Sequence, residues 1–194
     1  MQTHLFPAEP YIGHYPGIGR LSLRPVDGAG DVHCLHGWLN AEHARFWGMN
    51  GYSFAHVADY LRQLDRNPHA AGFCGSLDGE ALFWVETYAP RHDPVGEHYP
   101  VAPGDRGMHF LVAPPTRHVR GLTRAVMHCI QSWMFSDPVV KRIVVEPDIR
   151  NLKIHPINLG AGFVYERQIE LANKRAWLGF CQRDAVTPVE KVLA

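Results

Sequence analysis

One stretch, residues 107–124, constrains the fold of this chain more than any other. It begins as a strand, breaks at Pro114 and Pro115, and turns through basic residues and Gly121 into a segment with apolar residues three and four positions apart. That spacing predicts a helix that starts near Leu122. A strand that leads through such a turn into a helix places free backbone amides and the positive end of the helix dipole at the turn. The stretch therefore predicts a site for an anion such as a phosphate group.

Three arginines add full positive charges to this helix start: Arg117, Arg120 and Arg124. No Gly-Lys-Ser or Gly-Lys-Thr follows the turn, and the three glycines of a dinucleotide-binding loop are missing. A P-loop and a Rossmann loop are therefore excluded. The stretch favours another phosphate-bearing ligand, and the alternative is a solvated basic face at the start of an ordinary helix.

The composition is that of an ordinary globular domain. Of the 194 residues, 46% are hydrophobic and 20% are charged, and the formal net charge is +0. A chain of this length can bury one core, and the balanced charge gives no indication of a nucleic-acid partner. No stretch approaches the roughly 18 apolar residues of a membrane-spanning helix, and the N-terminus lacks the pattern of a signal peptide. We therefore expect a cytoplasmic protein without a nucleic-acid or membrane partner.

Neither the cysteines nor the histidines predict a metal site. The four cysteines are Cys34, Cys74, Cys129 and Cys181. They are scattered and form no Cys-x-x-Cys pair, so we expect free thiols in a reducing compartment. His33 and His36 stand three positions apart, but no further ligand has a fitting spacing. We therefore expect no bound metal.

The remaining segments predict a single α/β domain. Strands are predicted at residues 20–25, 71–77, 81–88, 107–113, 142–146, 164–171 and 175–181, and helices at 27–50 in two pieces, 54–64, 122–134 and 151–161. Residues 90–107 are predicted to be a long polar loop. We expect a mixed α/β domain over residues 20–183. An N-terminal arm at 1–19 precedes this domain, and a flexible tail at 184–194 follows it.

The basic turn and the order of the elements resemble those of the GNAT acyltransferases. In that family the acyl-CoA pyrophosphate loop reads Gln/Arg-x-x-Gly-x-Gly/Ala, and residues 118–123 match it apart from His118 and Thr123. The resemblance implies a single GNAT-like α/β domain, with a mixed, mostly antiparallel central sheet flanked by helices. It also implies acyl-CoA as co-substrate. The residues that it implies for binding acyl-CoA are Leu111, Val112, Arg117, His118, Val119, Arg120, Gly121, Leu122, Thr123 and Asn151.

A more specific resemblance is to the GNAT enzymes of the aerobactin, alcaligin and mycobactin type, which acylate hydroxylamines in siderophore biosynthesis. The matching segments are His36-Gly37-Trp38, Ala44-Arg45-Phe46-Trp47, Asp93-Pro94-Val95 to Tyr99, Gly104-Asp105-Arg106-Gly107-Met108-His109, and Glu146-Pro147-Asp148-Ile149-Arg150-Asn151. The resemblance implies that the protein acylates an N-hydroxy diamine or N6-hydroxylysine to a hydroxamate. The donor would be acetyl-CoA or succinyl-CoA, and other enzymes of the pathway would be its partners.

Two other functions stay open. The chain can be a GNAT acetyltransferase of another small-molecule or protein amine, or a non-catalytic domain that binds acyl-CoA. A direct test of turnover with amines and hydroxylamines distinguishes the three.

His109 and Asp148 are the candidate catalytic residues. Acyl transfer from a thioester requires a placed donor, polarisation of the carbonyl and a base that collects the proton of the attacking nitrogen. His109 lies in the strand before the turn and Asp148 follows the next strand, so both can reach one crevice at the strand ends. The matching residues of mycobactin-type enzymes are assigned to catalysis. We favour Asp148 as the base and His109 as the orienting or relay group, and the sequence leaves the reverse assignment open. The alternatives are a strand histidine held by a neighbour and an N-cap aspartate.

Four aromatic residues are predicted to line the acceptor pocket: Trp38, Phe46, Trp47 and Tyr99. Packing in the core is the alternative, because large aromatic side chains are usually buried. For Asn151, helix capping is the alternative to a contact with the pantetheine arm.

Overall fold

The computed structural model describes residues 10–28, 30–114 and 119–189, and within them it contains eight strands and four α-helices. The strands are β1 Tyr11–Tyr15, β2 Gly19–Pro25, β3 Ala70–Leu77, β4 Glu80–Tyr88, β5 Asp105–Val112, β6 Arg142–Val145, β7 Val164–Leu171 and β8 Lys174–Gln182. The helices are α1 Val32–Leu39, α2 Phe54–Arg66, α3 Leu122–Ser136 and α4 Ile154–Gly160. The strands and helices predicted from periodicity are present, apart from the second helical piece before residue 50, and several of their ends differ by a few residues.

The strands form a sheet in the order β1-β2-β3-β4-β5-β6-β8-β7. Strands β5 and β6 are parallel, and the connection between them contains α3, as a parallel crossover requires. The pairs β1–β2, β2–β3, β6–β8 and β7–β8 are antiparallel. The sheet is therefore mixed and mostly antiparallel, as the sequence predicted.

Contacts divide the chain into two compact units, of which the first comprises residues 1–86 and 110–120. Its core is built from apolar residues three and four positions apart on α1 and α2, together with Trp84 and Leu111. The helical residues of this core are Val32, Leu35, Leu39, Val57, Leu61 and Leu64. Burial of each such side chain stabilises the fold by about 1.5–3 kcal/mol. The apolar residues that the helical spacing identified in the sequence are therefore the ones that form this core.

The second unit comprises residues 87–109 and 121–194. Here α3 is the most buried helix, with Val126, Ile130 and Trp133 among its inaccessible side chains. The short strand β6 is also buried on successive residues, as expected for a strand covered on both faces. No helix in the described part of the chain is both long and apolar enough to cross a membrane.

Three segments differ from the sequence prediction. Residues within the predicted arm form β1, which pairs with β2 and alternates in burial. The second helical piece before residue 50 is a 3-10 helix at Glu42–Trp47, which ends at Gly48 with a φ of 79°. The predicted loop contains two 3-10 helices, Pro90–His92 and Pro94–His98. A strand of five residues and a 3-10 helix of three to six residues are too short to show the repeated apolar spacing by which helices and longer strands are recognised.

The start of the predicted flexible tail packs against the second unit. The Thr187 hydroxyl donates a hydrogen bond of 2.9 Å to the carbonyl of Gly160. A Cβ atom at Gly162 would lie 2.1 Å from the carbonyl oxygen of Ala185, and Gly162 has a φ of 90°. Glycine is therefore required at Gly162 both by its backbone conformation and by the close approach of the tail.

Candidate active site

His109 and Glu146 come together through the register of two parallel strands. Strand β5 pairs with β6 so that Gly107 lies opposite Val144. Two residues further along, the same register brings His109 to Glu146, and His109 Nε2 forms a short contact with Glu146 Oε1. The His109 side chain is 35% exposed, whereas that of Glu146 is 4% exposed. The pair therefore combines a partly accessible imidazole with a buried carboxylate that orients it.

Glu146 is surrounded by three donors. The Tyr88 hydroxyl donates to Oε2 at 2.7 Å, and Lys174 Nζ lies 3.3 Å from Oε1, the oxygen that contacts His109. Burial by itself would raise the pKa of Glu146, but protonated His109, the charge of Lys174 and the Tyr88 hydroxyl outweigh it, so the pKa lies well below its ordinary value. Glu146 is therefore a buried anion with partners for both oxygens, which is the condition for tolerating a buried charge.

Tyr88 touches both members of the pair. Its ring centroid lies 5.0 Å from that of His109, and its hydroxyl contacts Glu146. A Cβ atom on Gly107 would come within 2.0 Å of the Tyr88 ring, so the glycine makes room for it. Burial, followed by the negative charge of Glu146, raises the pKa of Tyr88, and the phenol stays protonated as a donor.

Asp148 makes its side-chain contacts with Arg150. Its carboxylate forms an ion pair with Arg150 at 2.6 Å and accepts a hydrogen bond of 2.8 Å from the Arg150 amide. The hydrogen bond from Arg150 lowers the pKa of Asp148. The backbone carbonyl of Asp148 accepts from the amide of Asn151, so the residue shapes the turn before α4. The structure thus pairs His109 with Glu146, and a catalytic role for Asp148 stays a prediction.

Three residues of this cluster were missed from the sequence: Tyr88, Glu146 and Lys174. A signal existed for Glu146, because it directly follows the apolar run Ile143-Val144-Val145 of a predicted buried strand, where a carboxylate needs a partner. Tyr88 gave no signal beyond its place at the end of a strand. Lys174 was interpreted as a turn residue between β7 and β8, a position where lysine is ordinarily solvated.

The start of α3 has the features of an anion site. Gly121 is its N-cap residue with a φ of 80°, and the N-terminus has neither a side-chain cap nor an acidic residue in its first turn. The first bond of the helix runs from the Ala125 amide to the Gly121 carbonyl. The amides of Leu122 and Thr123 therefore have no acceptor within the helix and can bind an anion.

The other predicted acyl-CoA residues have mixed outcomes. Arg117 and His118 lie outside the described residues. Leu111 belongs to the buried core of the first unit, and its contact with acyl-CoA stays a prediction. The Val112 carbonyl lies 2.8 Å from His43 Nε2. Three more lie at accessible or partly accessible positions: Val119, Arg120 and Asn151.

The four predicted aromatic pocket residues lie in both units. Trp38 and Trp47 are partly buried and pack against the core of the first unit. The Arg45 guanidinium lies over the ring of Phe46, with its central carbon 4.7 Å from the ring centroid. In the second unit Tyr99 is buried and packs edge-on against Phe180. Their role in acceptor binding stays a prediction, and core packing accounts for part of their placement.

No metal-binding cluster is found in the residues that the structure describes: no three His, Cys, Asp or Glu side chains are grouped so that they could hold an ion. The four cysteines are free thiols, and three of them are buried.

The family model of the acetyltransferase (GNAT) domain matches residues 27–171. The chain belongs to this family. For the GNAT domain, membership confirms the predicted fold class, the acyltransferase class and acyl-CoA as co-substrate. The matched range lies inside the predicted domain at residues 20–183, whose own boundaries stay a prediction.

Proteins similar to this GNAT domain include the following two relatives and one solved structure. The N(6)-hydroxylysine O-acetyltransferase of Escherichia coli is 29% identical over 185 residues, which are 90% of this chain and 56% of that protein. The lysine N-acyltransferase MbtK of a Mycobacterium species (strain MCS) is 26% identical over 156 residues, 79% of this chain and 64% of that protein. The chain thus spans less than two-thirds of either relative.

The structure of an uncharacterized protein from Bacillus halodurans superimposes with a TM-score of 0.86 and 26% identity. The similarity covers 96% of this chain and 95% of the other. The fold is therefore shared over almost the whole length of both chains.

Proposed function

We propose that the protein is an acyl-CoA-dependent N-acyltransferase that converts a hydroxylated amine into a hydroxamate in siderophore biosynthesis. The acceptor is an N-hydroxy diamine or N6-hydroxylysine. The observation that carries the proposal is the His109–Glu146 pair, a partly exposed imidazole oriented by a buried carboxylate within a GNAT domain. The names of the two relatives, which refer to N6-hydroxylysine and lysine as acceptors, support the choice of acceptor.

In the proposed reaction His109 is the general base. A hydroxylamine is less basic than an alkylamine, so much of it is neutral at pH 7 and can attack the thioester carbonyl directly. The nitrogen–carbon bond forms, the carbon–sulfur bond breaks, and the proton of the nitrogen passes to His109 while the CoA thiolate leaves. Glu146 orients the ring through Nε2 and stabilises the imidazolium that forms, as a carboxylate does for histidine in other acyl-transfer enzymes.

The acyl-CoA phosphates are proposed to bind at the start of α3. The Leu122 and Thr123 amides and the helix dipole would face the pyrophosphate, and Arg117 and Arg120 would add charge. The donor is acetyl-CoA or succinyl-CoA. Trp38, Phe46, Trp47 and Tyr99 are proposed as walls of the acceptor pocket.

A second candidate is acylation of the parent amine without prior hydroxylation. It is favoured by the relative that is named for lysine rather than for hydroxylysine. An alkylamine is mostly protonated at pH 7, so this reaction must first remove a proton from the ammonium group.

Partners and location complete the proposal. Free cysteines are typical of a reducing compartment, which supports a cytoplasmic location. Enzymes that hydroxylate the amine and that assemble the hydroxamate would act before and after this step, and association with them is part of the proposal.

A product assay tests the proposal. The protein is incubated with acetyl-CoA or succinyl-CoA and with N6-hydroxylysine, a hydroxylated diamine or their parent amines. Thiol release is measured together with the coloured ferric complex that a hydroxamate forms. We expect both signals with a hydroxylated acceptor. With the His109→Ala variant, both signals should stay below about a hundredth of the wild-type rate. Thiol release with parent amines alone would favour the second candidate, and acyl-CoA binding without turnover would favour a non-catalytic domain.

A further inference from the structure

One oxygen of Glu146 is shared by two nitrogen atoms. Oε1 contacts His109 Nε2 and also lies 3.3 Å from Lys174 Nζ. Lys174 is the first residue of β8, and its side chain is 18% exposed. A turn lysine is ordinarily solvated, whereas this one points inward to the carboxylate of the proposed catalytic pair.

The shared oxygen has an electrostatic consequence for His109. A carboxylate beside a histidine favours the imidazolium form, and a buried carboxylate does so strongly. An imidazolium cannot accept a proton from an acceptor nitrogen. A cation on the same carboxylate offsets this effect, because the Glu146–Lys174 ion pair carries no net charge. The carboxylate can then orient the ring without holding it in its protonated form.

The other ionisable groups around His109 do not supply this balance. Tyr88, from β4, is neutral because burial and the charge of Glu146 raise its pKa. Asp93, between the two 3-10 helices, can add only negative charge, and burial together with the charge of Glu146 raises its pKa although the Val95 amide donates to it. Within the described part of the cluster, Lys174 is therefore the cation that compensates Glu146.

We propose that Lys174 is a positioning residue that balances the charge of Glu146, so that His109 is oriented by the carboxylate and yet neutral near pH 7. The inference rests on the proposed acyl transfer with His109 as base. No bond to Lys174 forms or breaks, and the proton of the acceptor nitrogen goes to His109. Lys174 acts only through the charge that it places on Glu146.

The pH dependence of kcat/KM for the acceptor tests this role. Removing the cation favours the imidazolium, so Lys174→Met should move the acidic limb of the profile upward by about one pH unit. The kcat/KM of Lys174→Met should be about tenfold below that of the wild type at acidic pH and near the wild-type value on the alkaline plateau. Lys174→Arg should keep the wild-type limb, and Glu146→Gln should move it downward. Lys141→Met removes an exposed lysine of the same unit and serves as the matched control.

A lowered plateau with an unmoved limb would overturn the inference, because a purely structural defect lowers activity at every pH. Lys174→Gln keeps a hydrogen-bond donor without the charge, and it replaces the methionine variant if that variant does not fold. It should show the same upward movement of the limb.

A titration of the His109 ring by NMR separates this inference from the proposed function. The His109 signals are assigned by their loss in His109→Gln, and the titration is followed without substrate. We expect a higher midpoint in Lys174→Met than in the wild type. If the wild type acylates no hydroxylamine, the proposed function fails, and the titration still decides the role of Lys174. An unshifted midpoint in the folded variant would contradict that role.

Discussion

At the scale of single residues, burial disfavours the ionised form of Glu146, and three neighbouring side chains stabilise that form. His109, Lys174 and Tyr88 all reach the carboxylate, and the pKa of Glu146 lies well below its ordinary value as a result. Asp148, two residues later, is satisfied by Arg150 instead. The two carboxylates therefore differ in their chemistry: one is fixed beside an accessible imidazole, and the other closes a turn.

Substitution of each carboxylate distinguishes their roles. We expect His109→Ala to lower kcat by about 10²–10⁴, which is the usual value of general-base assistance. Glu146→Gln should lower kcat by a comparable factor, and the double variant should be little worse than the poorer single variant because the two act as one unit. Acyl-CoA affinity should stay within a few-fold. Steady-state kinetics with saturating acyl-CoA measure these changes.

The same kinetics decide between Glu146 and Asp148. If Asp148 were the base, Asp148→Asn would lower kcat as much as His109→Ala does, and Glu146→Gln would lower it less. Each variant must first be shown to be folded by its melting temperature, since removing one partner of a buried ion pair destabilises a protein by about 3–5 kcal/mol.

At the scale of elements, the pairing of β5 with β6 decides which side chains meet. The sequence predicted both strands, the helix between them and a carboxylate next to His109, because apolar periodicity is local information. The carboxylate that it named is Asp148, whose catalytic role stays a prediction, whereas the register of β5 and β6 places Glu146 beside His109. A strand register depends on contacts between distant segments, and a shift of two residues exchanges Asp148 for Glu146. The inward direction of the Lys174 side chain could not be predicted for the same reason. The turn sequence does not show which face of the sheet the side chain takes.

The end of α4 offers a stability test with a matched control. Gly162→Ala places a Cβ atom against the Ala185 carbonyl and in a left-handed backbone conformation, so we expect a loss of about 1–3 kcal/mol in the free energy of unfolding. Gly160 lies in the same helix and has no atom within 4 Å of a Cβ at its position. Gly160→Ala should therefore change stability by less than about 1 kcal/mol. Urea unfolding curves measure both, and equal losses would contradict the steric account of Gly162.

The start of α3 can be tested through donor binding. If its amides and the basic turn hold phosphates, CoA should raise the melting temperature more than acyl-pantetheine does at the same concentration, because tighter binding to the folded state stabilises it more. Thermal shift assays measure the difference, and added sodium chloride should reduce it. Equal shifts from CoA and acyl-pantetheine would mean that the helix start does not bind the phosphates.

At the scale of the whole molecule, the order of the elements indicates the fold, but it does not indicate which acceptor the protein uses. The order of strands and helices predicted a GNAT domain, and the family match at residues 27–171 confirms it. Acceptor choice depends on how a few side chains from separate segments are arranged. The predicted aromatic residues Trp38, Phe46 and Trp47 contribute to packing as well, and their type alone does not distinguish the two roles.

The central claim is that the acceptor is a hydroxylated amine, and the most direct test is the ratio of kcat/KM for N6-hydroxylysine to that for lysine. Both are measured with the same acyl-CoA at pH 7. We predict a ratio of at least about ten, which corresponds to about 1.4 kcal/mol of transition-state stabilisation. A hydroxylated diamine and its parent diamine form the second pair. A ratio near one or below for both pairs would contradict the account and would make the protein a general amine acyltransferase.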